Sequence, residues 1–301
     1  MKKLYGVTCA MITPFDEKGR VDHGAMRTHV DFLIEKGVDC LYPLGTTGEM
    51  YKLSAKERME AAETVVKQNA GRATVFIHTG AHDPSEVITL SKHAHEIGAD
   101  GVGVITPTFF GMTPREMIAY YENISRALPD DFPIYLYHLP QCTSVAFAPS
   151  TAAAIAERCE NVIGLKYSFA DISETVRFLA IRERRFSVLQ GADRLLLPVL
   201  AMGCDGTVSG CSSACPEPFV ALKKAWEAGD LALARKKQQE ADEIADILKG
   251  GASAAWFKSA LKWRGLFDSH VRSPQLDITP EEEKAFWYQL DRYYEKYGYE
   301  K

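Results

Sequence analysis

The chain has 301 residues, 46% apolar and 25% charged, with 35 lysines and arginines against 40 aspartates and glutamates and a net charge of -5. These proportions describe a globular chain and exclude disorder, collagen and coiled coil, while the acidic balance argues against a nucleic-acid backbone binder. No run is apolar enough to span a membrane, and the start Met1-Lys2-Lys3-Leu4-Tyr5-Gly6 lacks the apolar core of a signal peptide, so no membrane partner and a cytoplasmic setting are expected. Seven cysteines, scattered and without a Cys-x-x-Cys pair, indicate neither a disulfide framework nor a zinc site.

Eight short apolar runs follow one another along the chain: 6–15, 40–45, 74–80, 101–108, 133–140, 162–168, 186–193 and 206–211. They begin roughly 29 residues apart on average, room for one strand, one helix and two short loops. Between them the apolar spacing becomes helical, as in Val87, Leu90, Ala94 and Ile97, or Met117, Tyr121, Ile124 and Leu128. Helix starts are marked by Ser54 with Glu57, Asp83 with Glu86, Thr113 with Glu116 and Asp171 with Glu174.

Continuous apolar strands alternating with helices indicate a parallel sheet covered on both faces, and eight such units indicate an α/β fold of the (β/α)8 TIM barrel type. An open doubly wound sheet is the rival, but the Gly-x-Gly-x-x-Gly turn usual there is absent. After Pro216 only helices are expected, over 218–228, 230–249, 252–265 and 280–297. The expected organisation is a barrel over 1–229 and a carboxy-terminal helical extension or subdomain over 230–301.

Barrel sites lie at the carboxyl ends of the strands. Lys166 sits there in Val162-Ile163-Gly164-Leu165-Lys166-Tyr167-Ser168. A lysine is rarely buried unless it is used, and removal from water favours the neutral amine that a Schiff-base nucleophile needs; alternatively, it is a strand-end lysine reaching water or a carboxylate. Gly45-Thr46-Thr47-Gly48-Glu49 offers two hydroxyls and unobstructed amides able to hold a carboxylate, or a turn whose threonines merely cap the next segment. Tyr137 is either a proton carrier or a barrel aromatic. Its neighbour His138 alternates to the other side of the strand and is read as structural.

Taken together, Gly45-Thr46-Thr47-Gly48-Glu49, Tyr137-His138-Leu139-Pro140 and Gly164-Leu165-Lys166 give a chain that resembles, over its whole length, the dihydrodipicolinate synthase and N-acetylneuraminate lyase family of class I aldolases. The resemblance implies that Lys166 forms a Schiff base with pyruvate or another 2-oxo acid, and that Tyr137 shuttles a proton to or from the substrate hydroxyl. It further implies that the Thr46 hydroxyl connects to that tyrosine, that the amides of Thr46 and Thr47 hold the carboxylate, that no metal or organic cofactor is used, and that the protein is a homo-oligomer, dimer or tetramer. Gly48, Ser168, Gly191, Asp193, Arg194, Ser209 and Gly210 complete the expected substrate-binding set.

Two departures bear on the member. Cys142 stands where the synthase has an arginine for its second substrate's carboxylate, and Phe109-Phe110 stand where it has a tyrosine pair. A third separates it from the sialic acid lyase, which follows Gly-x-Asp with glutamate; here Gly191-Ala192-Asp193 is followed by Arg194. Arg194 is expected to meet a second anionic group on the substrate, or to be a solvated surface residue. Ser168, two residues after Lys166, shares its side of the strand and is placed to touch a substrate hydroxyl. The leading expectation is a lyase joining or parting pyruvate and an aldehyde, on a 2-keto-3-deoxy sugar acid or sialic-acid-like substrate. Dehydration of such an acid, dihydrodipicolinate synthesis and a non-catalytic barrel that binds a 2-oxo acid and signals are the alternatives.

Overall fold

The eight apolar runs form β1 (Gly6–Ala10), β2 (Cys40–Tyr42), β3 (Thr74–His78), β4 (Gly101–Ile105), β5 (Ile134–His138), β6 (Val162–Tyr167), β7 (Ser187–Gln190) and β8 (Gly206–Ser209). In the computed structural model, which describes residues 1–251 and 253–301, they pair in chain order, all parallel, and β8 returns to β1 to close a (β/α)8 barrel. The strands are shorter than the apolar runs. Residues beyond the ladder leave it to make the loops at the carboxyl end, as after Tyr42, where Leu44 turns left-handed (φ 65°), while Phe15 bridges back to Val21.

Around the barrel lie α1 (His23–Glu35), α2 (Ala55–Asn69), α3 (Pro84–Glu96), α4 (Pro114–Arg126), a single turn α5 (Pro140–Thr143), α6 (Pro149–Arg158), α7 (Ile172–Leu179), α8 (Leu196–Met202) and α9 (Glu217–Glu227). Then come α10 (Leu231–Ile247), α11 (Ala254–Trp263) and α12 (Pro280–Tyr297). The helix expected over 252–265 begins at Ala254 with Ser253 as its cap, and Ala252 lies outside the described residues. Among the described residues no helix is long and apolar enough to cross a membrane.

Two of the four expected start signals close as full capping boxes, Ser54 with Glu57 and Thr113 with Glu116. The other two cap on one side only. Asp83 and Asp171 accept backbone N–H groups, but Glu86 lies 4.0 Å from the buried Arg58 guanidinium and Glu174 accepts the Tyr167 hydroxyl at 2.5 Å. A buried polar group with few other partners outweighs a solvated N-cap amide in the competition for a carboxylate.

The lumen is filled by aromatic rings set against glycines. Phe76 and Tyr135 meet edge to face at 5.3 Å. A Cβ on Gly101, the register partner of Phe76, would lie 2.3 Å from its ring, and a Cβ on Gly164, the register partner of Tyr135, would lie 2.4 Å from that ring. Higher up, the Tyr42 hydroxyl occupies the place a Gly103 Cβ would take. At the amino end, the Tyr135 hydroxyl donates to Ser187 Oγ (2.8 Å) and accepts the Leu4 N–H (3.1 Å), tying the incoming chain to the floor. Tyr135→Phe leaves that buried N–H unpaired, and chemical denaturation is expected to show a loss of about 1–3 kcal/mol with the fold retained.

Candidate active site

Lys166 is the penultimate residue of β6 and is 4% exposed. Its Nζ lies 3.9 Å from the centroid of the Tyr137 ring and 4.8 Å from that of Tyr42, so two phenol faces, rather than a carboxylate, form its nearest surroundings. Tyr137 is the register partner of Lys166 on the adjacent strand β5, which is what brings the two functional groups together. The Tyr137 hydroxyl shares a hydrogen bond with Thr46 Oγ1 at 3.2 Å.

The loop after β2 is held by two left-handed residues, Leu44 and Glu49 (φ 65° and 58°), and by hydrogen bonds from Glu49 N–H to the Thr46 carbonyl (3.0 Å) and from Met50 N–H to the Gly45 carbonyl (3.2 Å). The backbone N–H groups of Thr46 and Thr47 donate to no described residue. Two adjacent free amides on a fixed loop suit a carboxylate. Gly48 contributes by its lack of a side chain: a Cβ there would lie 2.9 Å from the Leu44 nitrogen and 3.1 Å from the Met11 carbonyl oxygen.

A cavity of about 230 Å³ joins these groups. Of the expected residues, Thr46, Thr47, Tyr137, Lys166, Ser168, Gly191, Asp193 and Gly210 line it. Gly191 must be glycine, because a Cβ would lie 2.0 Å from Ser168 Oγ. One Asp193 carboxylate oxygen is buried without a partner. Burial raises the Asp193 pKa, while Ser209, Cys211 and the charge of Lys166 pull it down.

Three expected residues do not line the cavity. Gly48 packs beneath the loop. Ser209 is fully buried, its Oγ accepting the Ser212 N–H at 2.9 Å. Arg194 follows Asp193 in the tight turn Asp193–Leu195, and where Asp193 faces inward, Arg194 faces out and pairs with Asp246 of α10; both side chains are more than half exposed. Of the two readings of Arg194, the contact with a substrate anion is therefore corrected in favour of the surface one: the guanidinium is half exposed and paired with Asp246.

The rest of the wall comes from Ala10, Leu139, Gln141, Cys142, Val208, Gly250, Gly251 and Phe257. Gln141 Nε2 donates to the Ser168 carbonyl at 2.6 Å, bridging the loops after β5 and β6. Phe257 and the two glycines arrive from the α10–α11 region. Being apolar or bare backbone, they carry no chemical signal in the sequence; only docking of that region onto the barrel mouth reveals them. Among the described residues no group of three or more histidines, cysteines, aspartates and glutamates is disposed to hold a metal ion.

A family model described as the dihydrodipicolinate synthetase family matches residues 3–292. The chain belongs to this family. It is accordingly a lyase that makes or breaks a carbon–carbon bond. Among its relatives in the family, a 4-hydroxy-tetrahydrodipicolinate synthase of Natronomonas pharaonis is 35% identical over 277 residues, covering 92% of this chain and 93% of that one. A probable 2-dehydro-3-deoxy-D-pentonate aldolase of Escherichia coli K12 is 35% identical over 237 residues, covering 78% of each. Of solved family structures, the Escherichia coli K12 prophage protein YagE in complex with pyruvate superposes with a TM-score of 0.91 at 28% identity, covering 97% of this chain and 99% of that one.

His138 faces away from the cavity, its ring stacked on Phe147 at 4.5 Å with both nitrogens buried and unpartnered. Burial pushes its pKa from 6.5 down to about 4. The unfolded chain takes up a proton below its ordinary value while the folded chain resists, so this histidine's contribution to stability is complete above 6.5 and is lost as pH falls toward 4. Phenylalanine at this site keeps the stacking and removes the titration. Urea midpoints for His138→Phe are expected to fall less than those of the wild type between about pH 7.5 and about pH 5; parallel falls would place the acid sensitivity elsewhere.

Proposed function

We propose that Lys166 forms a Schiff base with the 2-oxo carbon of a 2-keto-3-deoxy sugar acid and that the protein cleaves it, reversibly, to pyruvate and an aldehyde with a neutral, hydroxylated tail. The observation that carries the substrate reading is the cavity wall. Lys166 is the only lysine or arginine among its described lining residues, Cys142 stands where the synthase resemblance calls for an arginine, and Arg194 is engaged with Asp246 outside. A second carboxylate would find no cation there. Hydroxyl groups find the Ser168 and Gln141 side chains. The name of the pentonate aldolase relative agrees with this class.

The neutral Lys166 amine attacks the 2-oxo carbon, and the resulting carbinolamine expels water to give an iminium. The Thr46 and Thr47 amides hold the carboxylate on one side of the new bond. Tyr137, hydrogen-bonded to Thr46, gives its phenolic proton to the water leaving the carbinolamine and then, as phenolate, receives the proton of the hydroxyl on the fourth carbon. The electrons of the bond between the third and fourth carbons then move into the iminium, and the aldehyde leaves. Protonation of the enamine at the third carbon and hydrolysis of the iminium release pyruvate and restore the amine.

A homo-oligomer, dimer or tetramer, belongs to the same reading and is supported by the Phe109 and Phe110 rings, 82% and 75% exposed. The division into a barrel over 1–229 and a helical extension over 230–301 does too, supported by the end of α9 at Glu227 and the purely helical chain beyond it. A cytoplasmic setting is supported by seven cysteines that are all free, six of them buried.

Borohydride reduction in the presence of pyruvate, followed by peptide mass mapping, is expected to place one adduct on Lys166; no adduct there would overturn the reading. Tyr137→Phe is expected to form the adduct yet lose about 10²–10⁴-fold in turnover. Among aldehyde acceptors, short hydroxyaldehydes are expected to be used in preference to aspartate semialdehyde, and the reverse order would move the chain to the synthase reaction.

A further inference from the structure

The loop that carries the Thr46 and Thr47 amides is fastened from outside the barrel. Glu49, the next residue after Gly48, is left-handed without being glycine, a conformation that persists only where the surroundings enforce it. Its carboxylate is 5% exposed, and Oε1 accepts from Lys258 Nζ of α11 at 2.5 Å. Oε2 accepts from Lys52 Nζ at 2.7 Å and from the Arg272 N–H at 3.3 Å. Lys258, 1% exposed, also donates to the His270 carbonyl at 2.6 Å and lies 4.3 Å from the centroid of the Phe15 ring. The residue before it, Phe257, is cavity wall.

Neither charged group lines the catalytic cavity together with its partner, and neither meets Lys166 or Tyr137 in a hydrogen bond. A buried ion pair is a poor source of stability compared with apolar packing, but once formed it is a stringent constraint on geometry, because loss of either member strands the other in a low-dielectric site. Here the constraint acts between one end of the amide loop and the helix that supplies Phe257.

We propose that Glu49 and Lys258 are positioning residues for 2-oxo acid binding, and that their buried ion pair sets the Thr46–Thr47 amides and the Phe257 wall at the separation that receives the substrate carboxylate. The proposal rests on the reading of those amides as the carboxylate site, and it makes the carboxy-terminal helices a determinant of pyruvate affinity though they hold no reacting group.

The test is borohydride trapping of the full-length protein as a function of ketone concentration, using pyruvate and the carboxylate-free ketone hydroxyacetone, with wild type, Glu49→Gln, Lys258→Met and the double variant. Wild type is expected to prefer pyruvate. Each single variant is expected to raise the half-saturating pyruvate concentration about tenfold, with hydroxyacetone trapping and the rate at saturating pyruvate little changed. The double variant is expected to be no worse than the more affected single one, since both remove the same constraint. If wild type prefers pyruvate and the variants keep its affinity while losing only thermal stability, the pair is structural and the proposal is overturned. If wild type shows no preference for pyruvate, the carboxylate reading fails first. Glu49→Gln, nearly isosteric and able to keep its hydrogen bonds, holds the test open should Lys258→Met fail to fold.

Discussion

A closed barrel of short strands has an interior that must be filled without water, and the way this one is filled decides where every reacting group can stand. Large rings occupy the lumen because the strand facing each of them presents a glycine: Phe76 against Gly101, Tyr135 against Gly164, Tyr42 against Gly103. Side chains wide enough to close the lumen from β2, β3 and β5 leave the carboxyl end open. Lys166 then has nowhere to put its amine except over the phenols of Tyr42 and Tyr137. An iminium formed there would lie against π faces that favour a cation.

On this floor, one side of the mouth is held far more firmly than the rest. The Arg58 guanidinium, 2% exposed, reaches from α2 to donate to the carbonyls of His78 and Gly80 at 2.9 Å each, satisfying the end of β3. His78 in turn donates through Nδ1 to the Leu44 carbonyl, which fixes the beginning of the amide loop. Burial, with the charges of Arg58 and Lys166, keeps its pKa well below the ordinary range, so the ring adds no charge beside the amine. Arg272 extends the same framework to the carboxy-terminal segment by pairing with Glu57, the capping residue of α2.

Much of this was legible in the sequence because it is local. The strand and helix periods announced the barrel, and Lys166, Tyr137 and Thr46 stood out as polar groups at the ends of apolar strands. The alternation that turned His138 away from Tyr137 is a property of any strand. What was hidden depends on distant segments meeting. Phe257, Gly250 and Gly251 become cavity wall only when the α10–α11 region docks, and an apolar residue on a helix looks the same whether it faces a core or a cavity. The sequence leaves Arg194 open between a substrate contact and the surface; beside Asp193 in sequence, it is turned to the exposed side by a single tight turn and pairs with Asp246 of α10, fifty-two residues away.

The contrast between the two sides of the mouth has an evolutionary meaning. The amide loop and β3 are locked by buried arginine, lysine and glutamate, so a substitution there disturbs several partners at once. Gln141, Cys142 and Ser168 line another part of the wall, Gln141 and Cys142 exposed and in a single helical turn, with the Gln141 amide spanning to the Ser168 carbonyl. Selection can exchange those side chains while leaving the partners of the amide loop in place. A barrel built this way can change one wall of its cavity while the amide loop keeps its form, which suits a fold whose relatives are named both synthase and aldolase.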